Sequence, residues 1–333
     1  MHDAKAQEPL PSSDLELAAR AARRYYLNDV SKVDIAAELG VSRFKVARLL
    51  ELARTEGIVT IKVHDPRGVD PELSESLRAA LGIRHALVLD TAPQPRTQVG
   101  ALAAEYLGST VVAGATVGLA WSRSTQALVE HLHDLPPCTI VQLCGVIPQA
   151  MGEEHNVELV RRAAQNVGAT AVTFYAPLVV PDATTAATLR RQPGIADALR
   201  HCDHLSVAVI AVGQWAPGES TVHDALPARQ QALFAKRGAI AESCGMLVAA
   251  DGRPLRDGLQ KRTIAATEAQ LRRADDVVAL ANEPHRAPAV RALTRRGLVS
   301  TLITHRAVAE RLLAERRKGA PDGQPRGSAA RRP

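Results

Sequence analysis

Cysteine is sparse and scattered. Cys138, Cys144, Cys202 and Cys244 are the only four in 333 residues, and no two stand in CxxC spacing. That argues against a zinc ribbon or a disulfide framework and fits a reduced compartment. Long hydrophobic runs are missing as well: no apolar stretch approaches the roughly 20 residues of a membrane-spanning helix. The opening MHDAKAQEPLPSSD lacks the apolar h-region of a signal peptide, so a cytoplasmic location is expected. Catalytic signatures are equally scarce. There is no GxGxxG, no Walker A loop, no GxSxG, no HExxH and no convincing Ser/His/Asp order. His201-Cys202-Asp203-His204 sets four possible metal ligands side by side, but adjacent residues do not readily converge on one ion, so neither a metal site nor a cofactor is expected.

The length is enough for two domains with a sizeable core. The net charge of +6 is unevenly placed. Residues 1–65 carry 10 Lys/Arg and 10 Asp/Glu, whereas residues 311–333 carry 7 and 2. Most of the excess therefore sits in the tail, and the basic balance is no argument for nucleic acid.

The local pattern from Ser31 to Glu56 is such an argument. SKVDIAAELGVSRFKVARLLELARTE reads as helix, tight turn, helix. Val33, Ala36, Ala37 and Leu39 give the first helix an apolar face. Gly40 can adopt the left-handed conformation that ends it, Val41 plugs the turn, and Ser42 is placed to N-cap the second helix. Phe44, Val46, Ala47, Leu49, Leu50 and Ala53 recur at helical spacing, and residues 42–54 carry four basic side chains against Glu51. A helix-turn-helix would lay this second helix in the major groove of double-stranded operator DNA. Arg43 and Lys45, with Ser42 at the same helix end, are the candidates for base contacts. Arg48 and Arg54 are the candidates for phosphates. Phe44 divides between a thymine methyl and core packing. A preceding helix over Asp14–Asn28 supports the pair, and Ile58–Val63 alternates as a short strand or wing.

The organisation expected is a disordered stretch over 1–13, a helix-turn-helix domain over 14–63, a turn-rich linker over 64–70, an α/β domain over 71–317 and a basic disordered tail over 318–333. Within the large domain, strands are expected at His85–Leu89, Thr116–Trp121, Ile140–Cys144, Ala169–Tyr175, Leu205–Val212, Val277–Ala281 and Leu298–Ile303. Helical stretches are expected near 72–81, 97–107, 124–133, 156–167, 196–201, 228–237, 285–296 and 305–317. Nearly continuous apolar strands alternating with helices predict a mostly parallel sheet covered on both faces, with ligands at the carboxyl ends of its strands.

Three loops could hold a ligand. Trp121-Ser122-Arg123-Ser124-Thr125 follows a strand and opens a helix; its hydroxyls, free N–H groups and guanidinium suit an anion, although N-capping by one serine explains it equally. Gln142-Leu143-Cys144-Gly145 ends another strand, and nearby Gln149, Glu153, Glu154, His155 and Asn156 could contact a polyol. Gly238-Ala239-Ile240-Ala241-Glu242 offers a carboxylate for sugar hydroxyls, with a solvated glutamate as the plainer reading.

These residues carry a resemblance to the SorC family of sugar-binding transcriptional regulators, often grouped with DeoR-type regulators, over roughly residues 15–315. DIAAELGVSRFKVARLLELARTEGIVTIKV is similar to that family's N-terminal module. VGLAWSRST, IVQLCGV, GAIAESCG, VALANEPHRAPAVRAL and LVSTLITHRAVAERLL are similar to its later segments. The resemblance implies an α/β domain related to sugar-phosphate isomerases and CoA transferases, a sugar, polyol or sugar-phosphate effector, and a homodimer or homotetramer. By position it implies Ser122, Arg123, Ser124 and Thr125 in a phosphate-binding loop, Gln142 and Gly145 lining the pocket, Glu242 on the effector, and Arg286 in place of a lysine. Asn282-Glu283 replaces a glycine pair, and Glu283 would repel a phosphate; His305 stands where an aspartate is usual. The reading is an effector-controlled regulator and not an enzyme. The alternative is an isomerase-type enzyme with a helical appendage and Glu242 as its general base.

Overall fold

The computed structural model describes residues 12–59, 68–147, 156–256 and 258–319. The chain divides into two compact units, one up to His64 and one from Asp65.

The smaller unit holds three helices, α1 (Ser12–Asn28), α2 (Lys32–Leu39) and α3 (Arg43–Thr55). Ala18, Ala21 and Ala22 of α1 pack on Ile35 and Ala36 of α2 and on Val46, Leu49, Leu50 and Ala53 of α3. The small alanines let three short helices approach closely around one apolar centre. The turn between α2 and α3 forms as its residue types dictate: Gly40 sits at φ 66°, and the Ser42 hydroxyl accepts the Lys45 N–H at 3.1 Å. The buried face of α2 differs from the one expected. Ile35 and Ala36 are buried and Leu39 half-buried, while Val33 is 59% exposed and Ala37 also faces out. The core selects the longer Ile35, one helical turn before Leu39. Ile58 and Val59 lie in a bend, and the rest of the expected wing is outside the described residues.

The larger unit runs α4 (Pro71–Leu81), β1 (His85–Leu89), α5 (Pro95–Thr110), β2 (Thr116–Leu119), α6 (Arg123–His131), β3 (Thr139–Gln142), α7 (Asn156–Val167), β4 (Thr170–Val172), α8 (Ala183–Arg190), α9 (Pro193–His201) and β5 (Val207–Ile210). It continues with β6 (Gly213–Gln214), α10 (Thr221–Ala225), α11 (Ala228–Lys236), β7 (Ala239–Ser243), β8 (Met246–Ala249), α12 (Glu268–Arg273), β9 (Asp276–Leu280), α13 (Ala287–Arg295), β10 (Thr301–His305) and α14 (Arg306–Gly319).

Seven strands form one parallel sheet in the order β1-β10-β9-β5-β2-β3-β4. Alternate residues serve opposite faces, as the period of a strand requires. On one face Ala208, Ile210, Val277 and Ala279 join a core with α4, α13 and α14. On the other, Val207, Val209, Val278 and Leu280 join a core with α5, α6 and α7. From β2 the chain builds outward through β3 to β4, then returns to set β5 against the other edge of β2. The crevice between the carboxyl ends of β2 and β5 is thus the topological switch point, where open α/β sheets bind ligands. Gly100 of α5 packs directly on the Ala127 backbone of α6, where an added Cβ would lie 2.6 Å from the Ala127 carbonyl carbon. That approach fixes α6, whose first turn faces the crevice.

A second sheet was not expected. β6, β7 and β8 form an antiparallel ribbon, with Gly213 opposite Glu242 and Ser243 opposite Met246. The segment read as a loop, Gly238 to Glu242, is largely strand β7. Three further helices, α8, α10 and α12, were also unread. The expected linker is shorter at its far end: Val69 bridges Leu89, the Asp70 N–H donates to Val88 O at 2.8 Å, and Asp70 caps α4. Residues 64–67, and the tail from 320, lie outside the described residues. All four cysteines are buried and unbridged. Among the described residues no helix is long and apolar enough to cross a membrane.

Candidate functional site

Two sets of side chains are candidates for function, one in each unit. In the smaller unit, Ser42 is taken up by capping α3, and Arg43, Phe44 and Arg48 project into solvent. Phe44 is 84% exposed, which removes core packing as its role. Lys45 behaves differently: its ammonium lies 3.0 Å from the Asp14 carboxylate of α1. Arg54 pairs with Glu51 one turn earlier on α3. Of the six residues expected to meet DNA, three are therefore openly presented and two are held in exposed or half-exposed ion pairs. Such pairs are worth little to stability and exchange partners readily.

In the larger unit a cavity of about 450 Å³ opens at the switch point. Trp121, Ser122, Arg123 and Ser124 line it from the end of β2 and the start of α6. Ala211 to Gly213 enter from the end of β5, and Glu283 and Arg286 from beyond β9. Gly218 to Thr221, Asp224 and Glu242 close another side, with Ile147 and Arg96 at the margin. The volume is ordinary for a small-molecule site.

The hydroxyls at α6 are partly committed. Ser122 Oγ accepts the Thr125 N–H at 3.0 Å and lies 2.8 Å from Thr125 Oγ1, so Ser122 is an N-cap that also lines the cavity. Thr125 itself is fully buried behind it and is not part of the lining. Ser124 Oγ donates to Asn282 Oδ1 at 3.4 Å, and the Asn282 carbonyl in turn meets His305 Nε2 at 3.0 Å. These contacts tie α6 and β10 to the chain just beyond β9.

Glu242 overturns the expectation of a solvated glutamate. It is 5% exposed, with Oε1 accepting the Gly245 N–H at 2.6 Å and Oε2 accepting the Ser220 hydroxyl at 3.1 Å. Burial drives its pKa up to about 7, against the pull of both hydrogen bonds. Gly213 makes room for it across the ribbon, since a Cβ there would come within 2.9 Å of Glu242 Oε2.

Arg286 enters as the resemblance implied, but its guanidinium is engaged. Nη2 lies 3.0 Å from Glu219 Oε2, Nε lies 3.2 Å from Glu283 Oε2, and Nη1 donates to Val212 O at 3.1 Å. Glu283 also takes Arg96 at 3.2 Å, and Glu219 takes His285 Nε2 at 2.8 Å. His285 and Arg286 hold the Glu219 carboxyl below its usual range.

Gln142 and Gly145 stand apart from the cavity. The Gln142 amide bridges Cys144 O, at 2.9 Å, and the Phe174 N–H, at 3.1 Å. Gly145 donates to Ile264 O at 2.8 Å and packs against the 176–178 backbone. Gln149, Glu153, Glu154 and His155 lie outside the described residues, as does the Asn156 side chain. Sequence reasoning missed Arg96, Glu219, Ser220 and Asp224. One signal pointed toward the last three: the segment PGESTVHD follows an expected strand end, where this fold binds ligands. Among the described residues no three metal-ligating side chains converge.

Residues 68–314 match the model of the family described as "Putative sugar-binding domain". The chain is 26% identical over 317 residues to the transcriptional regulator LsrR of Klebsiella pneumoniae subsp. pneumoniae, covering 92% of this chain and 95% of that one. It is 26% identical over 271 residues to the deoxyribonucleoside regulator of Bacillus subtilis, covering 77% and 84%. The crystal structure of the full-length sorbitol operon regulator SorC from Klebsiella pneumoniae superposes with a TM-score of 0.69 at 22% identity, over 91% of this chain and 100% of that one. The last likeness is one of fold, and it agrees with the mostly parallel α/β architecture.

Proposed function

The chain belongs to the sugar-binding domain family, and on that premise we propose that it is a sequence-specific DNA-binding transcriptional regulator controlled by a sugar, polyol or sugar-phosphate effector. The observation that carries this reading is that similarity to a named transcriptional regulator runs through 92% of the chain, far beyond the sugar-binding model alone. The three helices of the smaller unit are read as a helix-turn-helix domain, with α3 entering the major groove. Arg43 and Phe44 reach base edges, Arg48 holds phosphate, and Lys45 and Arg54 join by exchanging Asp14 and Glu51 for the nucleic acid. The cavity of the larger unit is the effector site, and its kinship to sugar-phosphate isomerases concerns architecture rather than turnover. Two copies read two half-sites, so the chain acts as a homodimer or homotetramer. The effector shifts the DNA-binding arrangement by preferring one conformation over another.

The test is a titration of the full chain against the DNA upstream of its own gene at several salt concentrations. A clear salt slope is expected, and binding indifferent to salt would remove the DNA reading. Arg48→Ala should weaken binding uniformly and reduce that slope by about 1. Phe44→Ala should leave the slope unchanged and cost about 1 kcal/mol, with relaxed discrimination at one T·A position. Equal affinity of wild type and Phe44→Ala for every base at that position excludes the thymine contact.

In the cavity, Arg123→Ala should abolish the effector's influence on DNA binding while leaving the affinity of the free protein for its operator within about twofold, because Arg123 lies outside the DNA-reading unit. A preserved effector response assigns the loop another role. Turnover of sugar phosphates by the purified protein, lost in Glu242→Gln, would instead establish the isomerase-type alternative.

A further inference from the structure

We propose that the cavity takes a neutral polyhydroxylated ligand, an open-chain polyol or an unphosphorylated sugar, and excludes its phosphate ester, because Glu219 and Glu283 already pair with the Arg96 and Arg286 guanidinium groups on its wall. This rests on the effector reading and narrows it.

The ion pairs form one chain across the wall of the site. Arg96 meets Glu283, Glu283 meets Arg286, Arg286 meets Glu219, and Glu219 meets His285, with separations of 2.8 to 3.2 Å. Every nitrogen of the Arg286 guanidinium has an acceptor: Nε and Nη2 have carboxylate oxygens, and Nη1 has the Val212 carbonyl. A phosphate dianion arriving at Arg286 meets two carboxylates already seated on it, and takes their place only by displacing one. The displaced carboxylate then remains beside the dianion and repels it. The charge of the whole site agrees. Three guanidinium groups, from Arg96, Arg123 and Arg286, stand with four carboxyl groups, from Glu219, Asp224, Glu242 and Glu283, so the lining has no net positive charge to draw an anion. Its carboxyl oxygens call for a ligand that carries donors. A hydroxyl both donates and accepts, whereas an ionised phosphate only accepts. Polyol hydroxyls can donate to the Glu242 and Asp224 carboxyl groups, whose oxygens accept more than one hydrogen bond. Trp121 and Ile147 supply apolar wall for the carbon skeleton.

The test uses the full chain and, first, inorganic phosphate as the minimal anion. Isothermal titration of wild type should show no saturable phosphate binding. Glu283→Gln, which removes one competing carboxylate, should gain phosphate affinity by about tenfold or more. Glu283→Asp, which keeps the charge, should not. Thermal-shift curves of the three unliganded proteins check that each folds. The second arm pairs glucitol, ribitol and fructose with their terminal phosphates. Any neutral member that stabilises wild type should do so at about tenfold lower concentration than its ester, and Glu283→Gln should narrow or reverse that preference. Wild type that binds inorganic phosphate as tightly as Glu283→Gln, or a phosphate ester that binds more tightly than its parent, overturns the inference while leaving the effector reading intact. Absence of any response to either panel, in wild type and Glu283→Gln alike, overturns the effector reading itself.

Discussion

Glu242→Gln is expected to remove about 3 kcal/mol of pH dependence from the stability of the larger unit. The Glu242 carboxyl has a pKa of about 7 in the folded chain, against an ordinary value near 4.5. The folded state therefore binds this proton more tightly than the unfolded state does. Its contribution is fully present below pH 4.5, falls as pH rises, and is lost once pH has passed through 7. A difference of this size corresponds to about 3 kcal/mol, at 1.36 kcal/mol for each pKa unit. The glutamine amide conserves the local contacts: its oxygen can accept the Gly245 N–H, and its NH₂ can donate to Ser220 Oγ. Urea unfolding followed by tryptophan fluorescence isolates this unit, because Trp121 and Trp215 are the only tryptophans in the chain. Wild type should lose about 3 kcal/mol more than Glu242→Gln between pH 4.5 and pH 8. Parallel pH profiles for the two proteins would falsify the assignment of a raised pKa to this carboxyl. The comparison also concerns function. A carboxyl poised near neutrality in a ligand cavity is what an isomerase-type base would need, yet here its oxygens hold the turn of the β7–β8 ribbon and the cap of α10. A glutamine that restores stability at alkaline pH and leaves DNA binding intact is consistent with a group that shapes the site rather than one that moves protons in catalysis.

The smaller unit was largely legible because its signals are local. Gly40 and Ser42 act through their own backbone and the next turn, and the residue types suffice to place both helices around them. The parallel strands were legible for a related reason: a strand covered on both faces reads as a nearly continuous apolar run, as in VAVI at Val207–Ile210 and the four apolar residues that follow Asp276 in DVVAL. The antiparallel ribbon was not. Its turn places Cys244 at φ 49° and Gly245 at φ 78°, a conformation that hairpins usually reach with Asn-Gly or Asp-Gly. A cysteine there hides the turn, and AIAES lacks the β-branched pattern of a strand. The cavity was legible only in outline. The rule for open α/β sheets directs attention to the ends of β2 and β5, and Ser122, Arg123 and Ser124 follow from it. The charge balance does not follow, because it depends on partners remote in sequence: Arg96 finds Glu283, and Arg286 finds Glu219. Repulsion of a phosphate by Glu283 could be anticipated from sequence; its simultaneous grip on two arginines could not.

Gly145→Ala should destabilise the larger unit by about 3 kcal/mol, the upper part of the range for overpacking. The glycine was expected beside the ligand, where a methyl group would lower affinity and leave the fold untouched. Its surroundings dictate the reverse. A Cβ at Gly145 would lie 2.6 Å from Ala176 O and 2.8 Å from both Leu178 N and Pro177 C. All three are backbone atoms, so no side-chain rotation relieves the contact. One of the two segments must withdraw. Doing so strains the Val146 N–H to Ala176 O and Leu178 N–H to Val146 O bonds, both 2.8 Å, which hold the chain beyond β3 against the chain beyond β4. Buried backbone groups that lose their partners cost about 1–3 kcal/mol each, so even partial withdrawal is expensive. Gln142 would share the disturbance, since its amide links Cys144, next to Gly145, to Phe174. Ile147, two residues on, is the nearest cavity-lining position, so ligand affinity should fall as a consequence of the shift and in step with the unfolding midpoint. The measurement is a urea titration of wild type and Gly145→Ala, with and without a saturating polyol. A midpoint unchanged in the variant, accompanied by lost affinity, would return Gly145 to the ligand; a large drop in the midpoint without ligand assigns it to the packing that positions the cavity wall.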